Sequence, residues 1–236
     1  MIEPKKSKRF QQLFSGYLSY QLKKHFYRVW IDDRRTSFKP DSGHLVLANH
    51  SSWWDGLLVF YLNHKVIQED SYAMMSQKGM EDYPFFRKIG AFSVNPVSPK
   101  DLVTSLRFAE KCLQEKKTVW IFPQGKEEHL EKRPISFMSG PGYLCERNPG
   151  ITITTVTFYY TFRHDQRPEL FIRVCDEETG QASSREERTN MLRVLLETRI
   201  DHLKADIIQE DISDFVQMLK GFPTNSEWLS FWKGRK

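Results

Sequence analysis

The sequence contains little cysteine, and its three cysteines show no paired spacing. Cys112, Cys145 and Cys175 are odd in number and lie far apart along the 236-residue chain. A disulfide framework or a zinc site would require several cysteines at short, regular spacings. The sequence therefore argues against both, and no bound metal is predicted.

Long hydrophobic runs are also lacking. No apolar segment approaches the roughly 20 residues that a membrane-spanning helix requires. The N-terminus is charged and has neither a continuous apolar segment nor a small-residue cleavage site, so it does not resemble a secretory signal. We therefore expect a chain that is cytoplasmic, either in solution or peripheral to a membrane.

The composition is that of a single globular domain with many aromatic residues. Apolar residues make up 39% of the chain, charged residues 28% and aromatic residues 14%. The net charge of +5 is compatible with anionic lipid, nucleic acid or an acidic ligand and selects none of them. Because the charge is dispersed and no groove-reading motif is present, no nucleic-acid partner is predicted.

Residues 1–38 predict an N-terminal amphipathic helical segment. Apolar residues recur there at helical spacing, namely Phe10, Leu13, Phe14, Tyr17 and Leu18. Such a segment either packs on the rest of the protein or lies in a membrane interface, with aromatic residues on one side and basic residues on the other. We favour the interfacial helix, and both alternatives stay open at this point.

Residues 39–236 predict one α/β domain. Strands are expected at residues 44–48, 72–76, 91–94, 118–122, 151–162 and 170–174. Helices are expected at residues 52–62, at 80–88 with a break at Pro84, from Pro99 onwards, at 141–147, at 184–208 and in a last segment ending near Gly221. This alternation predicts a three-layer body in which helices flank a largely parallel mixed sheet. In such sheets the chemistry gathers in loops beyond the strand ends.

Two loops that follow predicted strands carry the candidate catalytic residues. The first contains His50 and, five residues later, Asp55; the second runs through residues 121–126. A histidine beside a carboxylate is a common general base. The two side chains can meet only if His50 precedes the helix and Asp55 lies in its first turn, an arrangement that Ser52 as N-cap would give. A purely structural alternative is that Asp55 caps the helix and His50 is a hydrogen-bonded loop residue.

Four sequence blocks, in this order, resemble those of the glycerolipid O-acyltransferases, the lysophosphatidic acid acyltransferase-like family. They are Asn49-His50-x-x-x-x-Asp55, residues 90–94, residues 122–125 and the apolar strand 151–156. The resemblance implies that His50 takes a proton from an acceptor hydroxyl and that Asp55 holds His50. The freed oxygen would attack an acyl thioester without a covalent acyl-enzyme, and backbone N–H groups near Gly125 would stabilise the oxyanion. Acyl-CoA or acyl carrier protein would be the co-substrate, with no bound cofactor.

The chain departs from the family pattern at positions that concern the acceptor. The family's second block usually ends in arginine, where this chain has Pro96 after Asn95. Its third block usually reads Phe-Pro-Glu-Gly-Thr-Arg, where this chain has Gln124, Lys126 and Glu127. None of these replaces a guanidinium that binds phosphate in a bidentate manner. The acceptor is therefore either of lysophospholipid type or neutral, such as a glycolipid or a glycosylated carotenoid or terpenoid. The candidate substrate-binding residues are Trp54, Asn95, Gln124, Gly125 and Lys126.

These observations predict an acyltransferase that moves a fatty acyl group onto a lipid hydroxyl. The expected partners are a membrane surface, the lipid acceptor and the acyl thioester donor, including acyl carrier protein where it is the donor. The expected location is peripheral, on the cytoplasmic side of a membrane. A non-catalytic lipid-binding protein on the same fold is the alternative from another functional class.

Overall fold

The computed structural model describes residues 1–35, 41–178, 180, 182–225 and 227–228. Within these residues the strands are β1 (Arg28–Asp33), β2 (His44–Ala48), β3 (Ser71–Ser76), β4 (Ala91–Val94), β5 (Thr118–Ile121), β6 (Thr152–Thr161), β7 (Glu169–Glu177) and β8 (Val216–Lys220). The helices are α1 (Lys8–His25), α2 (Asp55–Leu62), α3 (Gln77–Asp82), α4 (Phe86–Ile89), α5 (Pro99–Gln114), α6 (Gly140–Arg147) and α7 (Arg185–Ile208). A π-helical turn, Asn63–Ile67, follows α2.

All the described strands form one mixed sheet in the order β4-β3-β5-β2-β6-β7-β1-β8. The neighbours pair in parallel except for β6 with β7 and β1 with β8, which are antiparallel. The predicted largely parallel mixed sheet is thereby confirmed. Because β2 and β5 are parallel neighbours, the two loops that leave their carboxyl ends emerge at the same edge of the sheet.

Helices cover both faces of the sheet, as the residues of the fully buried strand β2 show. Val46 and Ala48 belong to a core cluster with α1 and α2. Leu45 and Leu47, on the opposite face, belong to a cluster with α5, α6 and the start of α7. Successive side chains of a strand point to opposite faces, so this division gives the predicted three layers.

The helix α1 has one buried face and one exposed face. Leu18 and Leu22 are completely buried in the same cluster as α2, and so is Phe26 just after the helix. Leu13 and Tyr17 lie on the other side and are exposed. The helix therefore packs on the body, which was one of the two alternatives, and still presents an apolar surface to the outside.

Two segments that were expected to be helical are strands. The helical prediction for residues 1–38 fails after His25, because residues 28–33 form β1 and pair with β7 and β8. The last predicted helix, ending near Gly221, is instead the strand β8. In both segments pairing with distant strands decides the structure over local pattern. The predicted boundary at residue 38 lies outside the described residues, and the division into two domains stays a prediction.

Candidate active site

His50 and Asp55 meet at the carboxyl end of β2. His50 lies in the loop after the strand, and Asp55 is the first residue of α2. The Nδ1 atom of His50 is 2.9 Å from Oδ2 of Asp55. The helix was expected to start at Ser52, but it starts three residues later, because residues 52–54 form a turn in which the Asp55 N–H donates to the Ser52 carbonyl. The pair still has the geometry that the five-residue spacing requires.

The Asp55 carboxylate is completely buried and accepts four hydrogen bonds. Its Oδ2 atom accepts from the His50 ring and from the backbone N–H groups of Ser51 and Ser52, at 2.7 and 2.8 Å. Its Oδ1 atom accepts from the Tyr160 hydroxyl. The bond from Ser52 closes the turn that precedes α2, so Asp55 fixes this turn and holds the histidine at once. A carboxylate in the interior needs such donors to offset its lost hydration.

Asn49 anchors the same loop to the neighbouring strand. Its side-chain amide donates to the Phe158 carbonyl at 3.0 Å and accepts from the Phe158 N–H at 2.7 Å. The side chain thus completes the hydrogen bonding between the loop after β2 and strand β6. The asparagine before His50 therefore acts through the backbone, by fixing where the loop leaves the sheet.

The His50 ring is held on one face and open at its far nitrogen. It stacks on Phe122 with 4.3 Å between ring centroids and 20° between the planes. Its Nε2 atom makes no hydrogen bond within the described chain and lies 4.0 Å from the Glu127 carboxylate. The side chain retains 19% of its solvent exposure. The nitrogen that a base would use is therefore accessible, with one acid beside it.

The loop after β5 supports the histidine from a second direction. The buried side chain of Gln124 accepts a hydrogen bond from the His50 backbone N–H at 2.5 Å through Oε1. The backbone N–H of Glu128 donates to the His50 carbonyl at 2.9 Å. Gly125 has a φ of +74°, and a Cβ atom there would stand 3.2 Å from the Met138 Cγ. The loop therefore needs glycine at this turn to reach the histidine.

Glu128 is a buried carboxylate directly behind this loop. Burial alone would raise its pKa, but hydrogen bonds from Lys132 and from the Ser136 side chain and backbone outweigh burial and lower the pKa to about 2. The Gln124 amide nitrogen is 3.5 Å from its Oε2 atom. Both ends of the Gln124 amide therefore face groups within the protein.

A cavity of about 650 Å³ borders the loop that carries His50, and it is lined by Ser51, Ser52 and Tyr160, which contact Asp55, and not by His50 or Asp55 themselves. Its walls come from the end of α1, the loop after β2, the loop after β5, the end of β6 and the segment before β7. The lining residues are His25, Phe26, Ser51, Ser52, Trp54, His129, Leu130, Glu131, Tyr159, Tyr160, Phe162 and Pro168. This volume, and a lining in which apolar and aromatic residues predominate, are usual for a small-molecule site.

The predicted substrate-binding residues are only partly brought together. Trp54 lines the cavity and packs on Phe26 at 5.3 Å, while Lys126 is exposed on the loop after β5. Asn95 follows β4, three strands away from β2 in the sheet, which corresponds to about 14 Å. Its side chain accepts from the Val97 N–H at 3.1 Å. Asn95 therefore shares the sheet edge with His50 without touching it.

The sequence did not single out Tyr160, Glu128 or Phe122 as partners of the site. Tyr160 is 105 residues from Asp55, and only the pairing of β2 with β6 brings the two together. No local spacing signals such a contact. Phe122 belongs to the block 122–125 already noted, and Glu128 follows that block by three residues. Their position near His50 follows once that loop is known to reach the histidine.

More than half of the chain matches a known protein family, and this match identifies the family of the protein. Residues 31–159 match the family model described as Acyltransferase, that of the lysophosphatidic acid acyltransferase-like glycerolipid acyltransferases. The chain belongs to this Acyltransferase family. The matched region runs from β1 to β6 and includes both loops that meet at His50. None of the curated proteins matches the chain.

Membership of the Acyltransferase family confirms the resemblance read from the four sequence blocks and supports O-acyltransferase activity for this enzyme. Within the described residues, no group of three or more His, Cys, Asp or Glu side chains is placed to hold a metal ion. In the same part of the chain, no helix is long and apolar enough to span a bilayer.

Proposed function

We propose that this acyltransferase moves a fatty acyl group from an acyl thioester to a hydroxyl of a lipid acceptor of lysophospholipid type. The observation that carries the proposal is the contact between His50 and the buried Asp55, with the Nε2 atom of His50 open on the other side. A carboxylate on Nδ1 fixes the tautomer with a free lone pair on Nε2 and stabilises the imidazolium that forms. A non-catalytic lipid-binding protein has no need of this arrangement.

In the proposed reaction His50 is the general base. The acceptor hydroxyl gives its proton to Nε2 as its oxygen attacks the thioester carbonyl carbon. The tetrahedral intermediate collapses with cleavage of the C–S bond, and the leaving thiolate takes the proton back from the imidazolium. The products are an ester and a free thiol, so the step balances without metal or bound cofactor. General-base catalysis of this kind contributes about 10²–10⁴-fold.

The oxyanion of this intermediate requires hydrogen-bond donors, which we assign to the loop after β5. The Gly125 N–H already donates to the Phe122 carbonyl at 3.1 Å. The N–H groups of Lys126 and Glu127 make no hydrogen bond to any described residue, so they are the donors we propose. Backbone donors held on a rigid turn are effective because they need no rearrangement as charge develops.

The surroundings of the cysteines support direct transfer without an acyl-enzyme. All three lie in the core. Burial raises the pKa of Cys112 and of Cys145 to about 11. A thiol with such a pKa carries almost no thiolate near neutral pH and makes a poor nucleophile.

A neutral acceptor, such as a glycolipid or a glycosylated carotenoid or terpenoid, is the second candidate. The Glu127 carboxylate stands 4.0 Å from Nε2 of His50, and no lysine or arginine is among the described residues that line the cavity. Glu131 in that lining keeps its charge, because hydrogen bonds from Lys204 and Tyr159 outweigh the effect of burial and lower its pKa. Two carboxylates at the site would repel an acceptor phosphate.

A peripheral position on the cytoplasmic side of a membrane completes the proposal. The exposed side of α1 presents Leu13, Tyr17 and Tyr20, and Tyr20 packs edge-on against the half-exposed Phe222 at 5.5 Å. Basic residues lie exposed at both ends of this stripe, namely Lys8, Arg9, Lys23 and Lys24. Apolar and aromatic side chains with basic residues beside them suit the interface of an anionic membrane. The cavity starts at the end of the same helix, so a lipid acceptor would have a short path to it.

The test is acyl transfer into a total lipid extract of the source cells, with products identified by mass spectrometry. Labelled acyl-CoA and acyl-loaded carrier protein are offered in parallel, which decides the donor. We expect the wild type to form one product class and His50→Ala to lose at least 100-fold in rate. His202→Ala, an exposed histidine of α7, is the matched control and should keep full activity.

The identity of the product separates the two acceptors. A phospholipid product supports the lysophospholipid reading, and an acylated glycoside supports the neutral one. Equal activity of the wild type and His50→Ala would contradict the proposed base. No product with either donor, together with binding of the extracted lipids, would favour the non-catalytic alternative.

A further inference from the structure

The Tyr160 side chain connects the catalytic pair to the sheet. It belongs to β6, the strand next to β2, and its hydroxyl donates a hydrogen bond to Oδ1 of Asp55. The other carboxylate oxygen, Oδ2, is the one that faces His50. The tyrosine and the histidine therefore hold the same carboxylate from its two ends.

We propose that Tyr160 is a positioning residue of the acyl-transfer reaction, which orients the Asp55 carboxylate and withdraws part of its charge from His50. This inference rests on the proposed role of His50 as base. A carboxylate can rotate about its Cβ–Cγ bond, and a donor fixed on Oδ1 by a strand leaves Oδ2 aimed at Nδ1 of the histidine. Catalytic groups need to be held within about 0.5 Å of their working geometry, and rigid elements provide this better than loops do.

The tyrosine stays a donor throughout the working pH range. Burial, followed by the nearby Asp55 and Glu127 charges, raises the pKa of Tyr160 well above its ordinary range. The charged groups that face His50 are Asp55 on its Nδ1 side and Glu127 on its Nε2 side. Of these two acids, Asp55 is the one that Tyr160 bonds.

The sign of the effect follows from competition for one carboxylate. The hydroxyl takes up part of the negative charge of Asp55, which weakens its attraction for the imidazolium. Without the hydroxyl, the full negative charge of Asp55 acts on His50 and stabilises its protonated form. The ring is then deprotonated, and able to act as a base, only at higher pH. Removing the hydroxyl also lets the carboxylate rotate, so the maximal rate falls.

Tyr160→Phe tests this with the loss of one oxygen atom. We expect kcat to fall about tenfold, as for the loss of one hydrogen bond to a charged group, and the acid limb of the pH profile of kcat/KM to move up by on the order of 0.5 pH unit. Tyr143→Phe is the matched control, because its hydroxyl also donates to a carboxylate, that of Glu110 at 3.1 Å, away from the cavity. The control should leave rate and profile unchanged.

A second variant moves the profile in the opposite direction without removing the hydroxyl. 3,5-Difluorotyrosine at position 160 is a stronger donor and keeps the ring and its packing. We expect the acid limb to move to lower pH, which a purely structural role of the ring does not produce. This variant also serves if Tyr160→Phe does not fold.

A double-variant cycle decides whether Tyr160 acts through the histidine. In His50→Ala the change Tyr160→Phe should cost nothing further, because residues that act as a unit are not additive. The same fold-loss in both backgrounds, with unchanged pH profiles, would overturn the proposal.

The proposal can also be tested apart from acyl transfer. If the wild type and Tyr143→Phe both lacked transferase activity, the proposed function would fail by itself. ¹⁵N NMR of the His50 ring then measures directly whether Tyr160 affects His50. We expect the ring to become protonated at higher pH in Tyr160→Phe than in the wild type. Identical titration curves would overturn the role of Tyr160.

Discussion

At the scale of single residues, Gln124 is explained by the acid four residues after it. The family usually has glutamate where this chain has glutamine, and this chain has the buried Glu128 behind that position. Gln124 accepts from the His50 N–H and turns its amide nitrogen toward Glu128. A second carboxylate at position 124 would accept the first bond equally well and repel Glu128. The glutamine therefore suits a loop that already contains one buried negative charge.

We therefore expect Gln124→Glu to destabilise the protein in a pH-dependent manner. The new carboxyl group is buried beside an ionised one, so its pKa in the folded state is raised above the roughly 4.3 of an unfolded chain. The two proteins should therefore differ least in stability at pH values below about 4. The deficit of the variant should grow as the pH rises through the folded-state pKa. Urea unfolding at pH 4.5 and 7.5 measures the difference.

Glu128→Gln combined with Gln124→Glu provides the control. Exchanging the two groups restores one carboxylate and one amide, so the double variant should recover part of the loss. Recovery should be incomplete, because the Lys132 and Ser136 contacts of Glu128 change as well. A loss that does not vary with pH, or no recovery in the double variant, would mean that charge repulsion is not the reason for glutamine here.

The pair His50 and Asp55 was within reach of sequence reasoning, whereas the residues that hold the pair were not. The two are five residues apart, so the start of one helix suffices to bring them together. Tyr160 and Gln124 reach the same loop from β6 and from the loop after β5, at separations of 105 and 74 residues. Which side chains meet there depends on strand order and register, which one sequence does not encode locally.

At the scale of elements, α1 packs on the core with one side and leaves apolar residues exposed on the other, where we propose the membrane contact. Leu18 and Leu22 are part of the core, while Leu13 and Tyr17 are exposed. Deleting the helix would therefore disrupt the core as well as any membrane contact. A loss of lipid association after the deletion would not show which of these two effects caused it. Substitutions confined to the exposed side separate the two roles.

We predict that Leu13→Ser with Tyr17→Ser weakens binding to anionic vesicles about tenfold or more and leaves thermal stability unchanged. Burying one large apolar side chain is worth about 1.5–3 kcal/mol, and Leu13 is 78% exposed in the free protein. Vesicle co-sedimentation and thermal unfolding are the measurements. Val194→Ser with Ile208→Ser, which changes exposed apolar residues of α7, is the control and should bind like the wild type. Equal binding by both double variants would place the membrane contact elsewhere.

Most elements, including the strands β2 to β7, were predicted close to their observed bounds, whereas β1 and β8 were predicted as helix. The helix α5 has Ser98 as its cap and Pro99 in its first turn, and it begins where these residues indicate. The strands β1 and β8 have no such local marker. The strand β1 pairs with β7 (Val29 with Leu170) and with β8 (Arg28 with Lys220), both far away along the chain. A short segment taken alone is compatible with either structure.

At the scale of the whole molecule, the N-terminal segment is built into the sheet. The strand β1 lies between β7 and β8, so it joins the start of the chain to its C-terminal part. Within the described sheet, β8 pairs with β1 alone. The cluster that contains α2 also includes Leu22, Phe26 and Val29 from this segment. Residues 1–35 therefore supply part of one shared core.

A chain that starts at residue 39 is accordingly expected not to fold cooperatively, although residues 39–236 were predicted as the acyltransferase domain. It would lose four completely or nearly completely buried side chains, Leu18, Leu22, Phe26 and Val29, each worth about 1.5–3 kcal/mol. That sum is comparable to the total stability of about 5–15 kcal/mol of a typical domain.

Urea unfolding of the shortened chain, followed by tryptophan fluorescence, should show a broad, non-cooperative transition. Residues 1–35 added as a separate peptide should restore a cooperative one, because they refill the gap between β7 and β8. If the shortened chain unfolded as sharply as the full one without the peptide, residues 39–236 would be an independent domain and the shared core would contribute little.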